Sequence, residues 1–182
     1  MLRSFLLFLM VHFTLYSSAQ HYKPVDPGSK VHFVIKNFGI NTGGDLSGLK
    51  GTIEFNPVDL KKSSFMVTVD VKTIDTDNSG RDEHLKSHSY FDIEKYPEII
   101  IQSTKINLTN KSKSGVYYFT GTLSMHGVTK KIEFPFAASL QGQDYLFKGN
   151  FEINRKDYGV GGNSGVLGNV VKVSLLVVGK KS

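Results

Sequence analysis

Residues 65–72, FMVTVDVK, put Phe65, Val67, Val69 and Val71 on one side of an extended chain and Met66, Thr68, Asp70 and Lys72 on the other. A period of two is the spacing at which side chains alternate across a β-strand. The same alternation spreads in both directions from this stretch. Upstream, Leu49, Gly51, Ile53 and Phe55 alternate with Lys50, Thr52 and Glu54 until Asn56-Pro57 stops the run. Further upstream, Val31, Phe33 and Ile35 form another set, behind an extended lead-in over 20–28 that carries Pro24 and Pro27. The glycine-rich stretch 39–48 between them reads as a loop or a bent strand junction.

Downstream the pattern continues through Ile99–Ile106, Val116–Leu123, the set Ile132, Phe134 and Phe136, the set Tyr145, Phe147, Phe151 and Ile153, and Val170–Val178. Pro135 favours an edge or a bulge. Tight turns are expected at 125–130 and a glycine loop at 159–168. About eight strands with turn signals between them and hardly any helix favour an all-β antiparallel barrel or sandwich. Several runs are apolar on both faces, such as Tyr117-Tyr118-Phe119 and Ile99-Ile100-Ile101. Such strands fit either a barrel with an apolar lumen, wide enough at eight strands for one small ligand, or a well-packed sandwich core.

The first 19 of the 182 residues are expected to be a secretory signal. Arg3 supplies the positive start, Phe5–Tyr16 an apolar core of about a dozen residues, and Ser17-Ser18-Ala19 a small-residue cleavage site. The domain proper then spans 20–182, periplasmic or secreted. With no cysteine, neither a disulfide framework nor a Cys-linked lipid anchor is available. The net charge of +6 becomes +5 once Arg3 leaves. Its lysines are scattered, which describes a solvated surface rather than a nucleic-acid site. A transient contact with a membrane surface fits this mild basicity, and the oligomeric state is left open, a dimer included.

Residues 81–97, RDEHLKSHSYFDIEKYP, interrupt the alternation. His84 and His88 are four apart, so on a helix they would share a face and both reach a metal. Ser79 would cap that helix, Asp82 and Glu83 would sit in its first turn, and Arg81-Asp82 would form an ion pair. The zinc-protease pattern needs Glu directly after the first His, and Leu85 stands there instead. The competing reading is a short amphipathic helix near 80–90 that closes one end of the barrel with Leu85 and Phe91 turned inward.

These segments together carry a resemblance. Arg81–Pro97, then GTLSMHGVTK at 121–130, then INRKDYG at 153–159, with the opening DPGSKVHF at 26–33, are similar to the recurring runs of the YceI-like family of exported bacterial proteins. The likeness extends over about residues 22–179. It implies an extended, eight-stranded, lipocalin-like antiparallel barrel whose long cavity takes a polyisoprenoid or a related amphiphilic lipid, with no cofactor and no catalysis. Two departures are visible. Asn37-Phe38-Gly39 stands where members often carry a histidine, and an acidic residue before the last strand is replaced near Gly168-Asn169.

Under this reading, alternation nominates Phe33, Ile35, Phe55, Val67, Val69, Ile101, Tyr118, Phe134, Phe147, Phe151 and Val173 as lumen residues. Arg81, His84 and Arg155 are the candidates for a polar or anionic head group. Two other classes stay open: a metal-dependent or acid–base enzyme using His84 and His88, and a secreted stress or interaction module with a filled core.

Overall fold

A computed structural model of the chain describes residues 20–109 and 115–182. The expected signal segment, 1–19, lies outside the described residues. Eight strands follow one another: β1 (Gln20–Asn37), β2 (Ile40–Phe55), β3 (Ser64–Asp75), β4 (Glu98–Leu108), β5 (Val116–Met125), β6 (Val128–Gln141), β7 (Asp144–Asn154) and β8 (Leu167–Lys181). One helix, α1 (Ser79–Lys86), lies between β3 and β4. Each strand pairs antiparallel with its sequence neighbour, and β8 returns to β1, so the sheet is a closed barrel. Closure removes the unpaired edges that an open sheet of this length would expose.

Alternation drives the wall. In β5 every odd residue from Tyr117 to Met125 is buried, and the even ones are half-buried. The lead-in at 20–28 belongs to β1, and the register slips by three residues between Val25 and Lys30 against β8. Pro24 and Pro27 supply no ladder donors there, which suits a bulge. Side chains replace the missing ladder bonds. The Ser29 hydroxyl donates to Val25 O at 2.5 Å and accepts from Val178 N at 2.8 Å. The Asp26 carboxylate accepts from Gly48 N and Leu49 N at 3.1 and 3.0 Å.

The stretch 40–48 is strand, not loop. Glycine is needed at 44 because a Cβ there would lie 2.7 Å from the Phe33 ring and 2.8 Å from the Asp75 carbonyl oxygen. Pro135 pairs with Tyr118 across β5, just beyond the point where the β6–β7 ladder ends at Phe136–Gly149. Its missing N–H therefore falls where β6 has parted from β7, a local edge inside a closed barrel.

The barrel has two unlike ends. At the end holding Gln20 and Lys181, Phe55 packs edge-on against Tyr117, Tyr145, Phe147 and Phe65, with ring centroids 5.1, 5.1, 5.4 and 6.0 Å away. Tyr22 adds an edge contact to Tyr145 at 5.3 Å. Offset and edge-to-face contacts of this kind each add about 0.5–1.5 kcal/mol beyond burial. Burial pushes the Tyr22 and Tyr117 hydroxyls up, so both stay neutral. This cluster is the floor.

At the opposite end the wall splays. The β3–β4 ladder covers only Met66–Asp70 against Glu98–Gln102, and the segment carrying α1 occupies the gap beyond it. The opening between β6 and β7 is flanked by a 3-10 turn at Arg155–Tyr158. This end is the mouth.

Candidate functional site

Between floor and mouth lies an apolar cavity of about 230 Å³ that opens to solvent. Its walls are the inward residues of the strands, including Val31, Phe33, Ile35, Val67, Val69, Ile101, Leu123, Phe134, Phe151 and Val173. Leu85, Tyr90, Phe91 and Val160 roof part of it. Polar groups, among them Asn37, Thr42, Thr76, Arg81 and Arg155, gather at the mouth.

Nine of the eleven nominated lumen residues line this space: Phe33, Ile35, Val67, Val69, Ile101, Phe134, Phe147, Phe151 and Val173. Phe55 points inward, but it is 1% exposed and belongs to the floor, not to the cavity wall. Tyr118 is a correction. It faces outward opposite Pro135, while Tyr117 and Phe119 point in. A slip of one residue inverts the face of a strand.

The helix also differs from expectation. Asn78, not Ser79, is its cap, and the Asn78 Oδ1 accepts from Arg81 N at 2.9 Å. Arg81 and Asp82 do not pair directly; they meet at Thr76. Asp82 Oδ1 accepts from Thr76 N at 3.0 Å and from Thr76 Oγ1 at 2.5 Å. Arg81 Nε donates to the same hydroxyl at 2.8 Å, and Nη2 donates to Thr76 O. The guanidinium is thereby held over the mouth, and it makes no ion pair among the described residues.

His84 lies outside the cavity, exposed, with its ring 4.7 Å from that of Tyr90. The helix ends at Lys86 and Ser87 is extended, so His88 does not continue the helical face of His84. Its Nδ1 instead meets Asp92 Oδ2 at 2.9 Å. Among the described residues no group of three or more His, Cys, Asp or Glu side chains is placed to hold a metal ion.

Arg155 reaches the cavity wall, but it is 2% exposed and its donors are committed. Nε donates to Gly168 O at 2.8 Å and Nη1 to Val160 O and Gly162 O at 2.7 and 2.9 Å. Nη2 points to Leu167 O at 3.2 Å and Asn169 Oδ1 at 3.4 Å. This arginine organises the 159–168 loop around itself and has no donor left for a ligand. Nothing in the spacing of residues announces this, because four of its five acceptors are backbone carbonyls. Leu46, Leu49 and Ile99 also line the cavity; the alternation of β2 finds Leu49, whereas Leu46 is out of that phase and comes inward through the register shifts between Asp45 and Lys50.

A closed eight-stranded antiparallel barrel holding one blind, apolar cavity defines a lipocalin-like barrel built around interior space. The chain belongs to the YceI-like family, whose domain it matches over residues 22–178. It is 30% identical over 143 residues to the UPF0312 protein plu2095 of Photorhabdus laumondii, covering 76% of this chain and 72% of that one. It is 27% identical over 156 residues to the UPF0312 protein ECA1782 of Pectobacterium atrosepticum, covering 82% and 79%. Among solved structures, Burkholderia cenocepacia BcnA shares the fold at a TM-score of 0.77, with 23% identity over 85% of this chain and 98% of that one. A polyisoprenoid binding domain from Saccharophagus degradans superposes at 0.71, with 15% identity over 90% and 99%.

Proposed function

We propose that this protein is an exported, non-enzymatic carrier of an amphiphilic lipid of the polyisoprenoid class. The observation that carries the reading is the distribution of polarity in the cavity: apolar walls down to an aromatic floor, with polar groups gathered at the mouth. An isoprenoid tail fits such walls, and each buried CH2 contributes about 0.8 kcal/mol. Arg81 is the residue placed to meet a polar or anionic head, because it lies at the mouth without a carboxylate partner. The similarity in fold to a polyisoprenoid binding domain supports the same class of ligand.

An interaction module with a filled core is disfavoured by the open lumen. His84 and His88 share no helical face, which weighs against the enzymatic reading built on them. Export rests on the N-terminal apolar segment and places the carrier in the periplasm or outside the cell.

The test is to purify the exported protein without detergent, extract it into organic solvent and analyse the extract by mass spectrometry. Prenyl lipids should co-purify, or a fluorescent polyprenyl probe should bind the emptied barrel. A barrel that is consistently empty and takes up no added probe rejects the proposal.

A further inference from the structure

Two hairpins of this barrel, both at the mouth, use the same two-residue turn with opposite consequences. The β5–β6 turn is His126-Gly127, with φ of 52° and 74°. The β1–β2 turn is Phe38-Gly39, with φ of 49° and 78°. Positive φ at both central positions belongs to the type I′ turn, where Asn-Gly or Asp-Gly is favoured. A bulky residue at the first position is a backbone outlier.

His126 is compensated. Its Nδ1 lies 2.9 Å from Tyr158 O, and its ring packs on Tyr96 with centroids 5.2 Å apart. Among the described residues the Phe38 ring has no such contact. It is 73% exposed, and its neighbour Ile40 is 70% exposed. Folding thus gains little from a phenylalanine held in a strained position and aimed at water.

The hairpin also projects. The β2–β3 ladder stops at Asp45–Asp75, so Ile40–Gly44 pair only with β1. Val166, 43% exposed, joins the tip where its carbonyl accepts from Phe38 N at 2.9 Å. The exposed Lys36 flanks the tip with no ion pair among the described residues. On the cavity side, Asn37 and Leu167, immediately below this tip, line the opening.

We propose that the Phe38-Gly39 hairpin, with Ile40 and Val166, is a wedge that docks the mouth onto an anionic lipid bilayer. Apolar side chains enter the interface while Lys36 and the basic net charge face the head groups. A bilayer suits this surface better than a protein pocket because the apolar tip is small and convex and the exposed Lys36 flanks it. The direction of cargo transfer rests on the carrier reading above; the docking does not.

The experiment is flotation of the exported, processed protein with vesicles of phosphatidylethanolamine and phosphatidylglycerol, for the wild type, Phe38→Asn and Ile40→Ser. Phe38→Asn puts the favoured residue into the turn, so its melting temperature is expected to hold or rise. Its vesicle binding is expected to fall about tenfold, as is that of Ile40→Ser, because an apolar side chain no longer leaves water. The proposal is overturned if the wild type does not float, if Phe38→Asn floats as well as the wild type, or if Phe38→Asn destabilises the barrel. Capture of the tip by a protein without any vesicle binding overturns it as well. Uptake of a soluble polyprenyl probe, measured in parallel without vesicles, separates the two proposals. Uptake without docking rejects the wedge alone, and docking without uptake rejects the carrier alone.

Discussion

Arg155 Nε donates to the carbonyl oxygen of Gly168 at 2.8 Å, tying the start of the 3-10 turn that follows β7 to the start of β8. The remaining donors of the same guanidinium hold Val160, Gly162, Leu167 and Asn169. Arg155→Lys keeps the charge but not the planar fork. Lysine leaves the buried Val160 carbonyl and the part-buried carbonyls of Gly162, Leu167 and Gly168 short of donors, at about 1–3 kcal/mol for a buried group and less for the others. The expected loss is about 3 kcal/mol or more in urea unfolding, and a loss below about 1 kcal/mol would show that the loop does not depend on the fork.

Val173 faces the lumen between Phe33 and Phe151 in register. Val173→Phe adds a ring to open space rather than to packed core, so stability should change by less than about 1.5 kcal/mol. Affinity for a polyprenyl probe should fall at least about tenfold, because the ring occupies space the tail needs. Unchanged affinity in a folded variant would place the ligand elsewhere.

Asp92 responds to acid. Burial favours its neutral form, but the hydrogen bond from His88 and the nearby Lys95 and His88 charges outweigh burial and hold its carboxyl below the usual 3.8. A carboxylate held lower in the folded than in the unfolded chain stabilises at pH values above its unfolded value. That contribution is lost as pH falls through the lowered folded value. Asp92 adopts φ of 47°, which asparagine also tolerates, so Asp92→Asn isolates the charge. Urea midpoints measured from about pH 5 down to about pH 2 should fall less steeply for Asp92→Asn than for the wild type. Parallel curves would deny Asp92 this role.

Gly127 lies under the Tyr96 ring. A Cβ at 127, where φ is 74°, would stand 2.7 Å from Tyr96 Cε1. Gly142 has a similar φ of 65° with nothing within 4 Å of its Cβ. Both alanine substitutions carry the left-handed penalty of about 1–2 kcal/mol. Gly127→Ala should lose about 1–3 kcal/mol more than Gly142→Ala in thermal unfolding, the overpacking share. Equal losses would mean that Tyr96 yields freely.

The barrel was legible because each strand alternates over many residues and most turns carry glycine. Tyr118 shows where legibility ends. Three aromatics in a row leave the inner face undecided when only 117–119 are weighed. The longer run settles it: Thr120, Thr122 and Ser124 share the parity of Tyr118 and stay half-buried outside, whereas Gly121, Leu123 and Met125 share that of Tyr117. The end of α1 was not legible at all. Residues 87–91, SHSYF, hold neither Gly nor Pro, yet Ser87 stops the helix by donating its hydroxyl to His84 O at 2.7 Å. That single turn of backbone separates His84 from His88. The role of Arg155 was hidden for a related reason, since its partners are main-chain oxygens spread over 160–168 and Asn169. The wedge was written in the sequence as Phe38-Gly39 between two strands, but its exposure required the fold.

The aromatic floor around Phe55 bears on traffic. A tube sealed at one end has no exit distinct from its entrance, so a guest leaves by retracing its path. Direction cannot come from the barrel itself. It must come from outside, from the difference in chemical potential of the guest between the place where the mouth fills and the place where it empties.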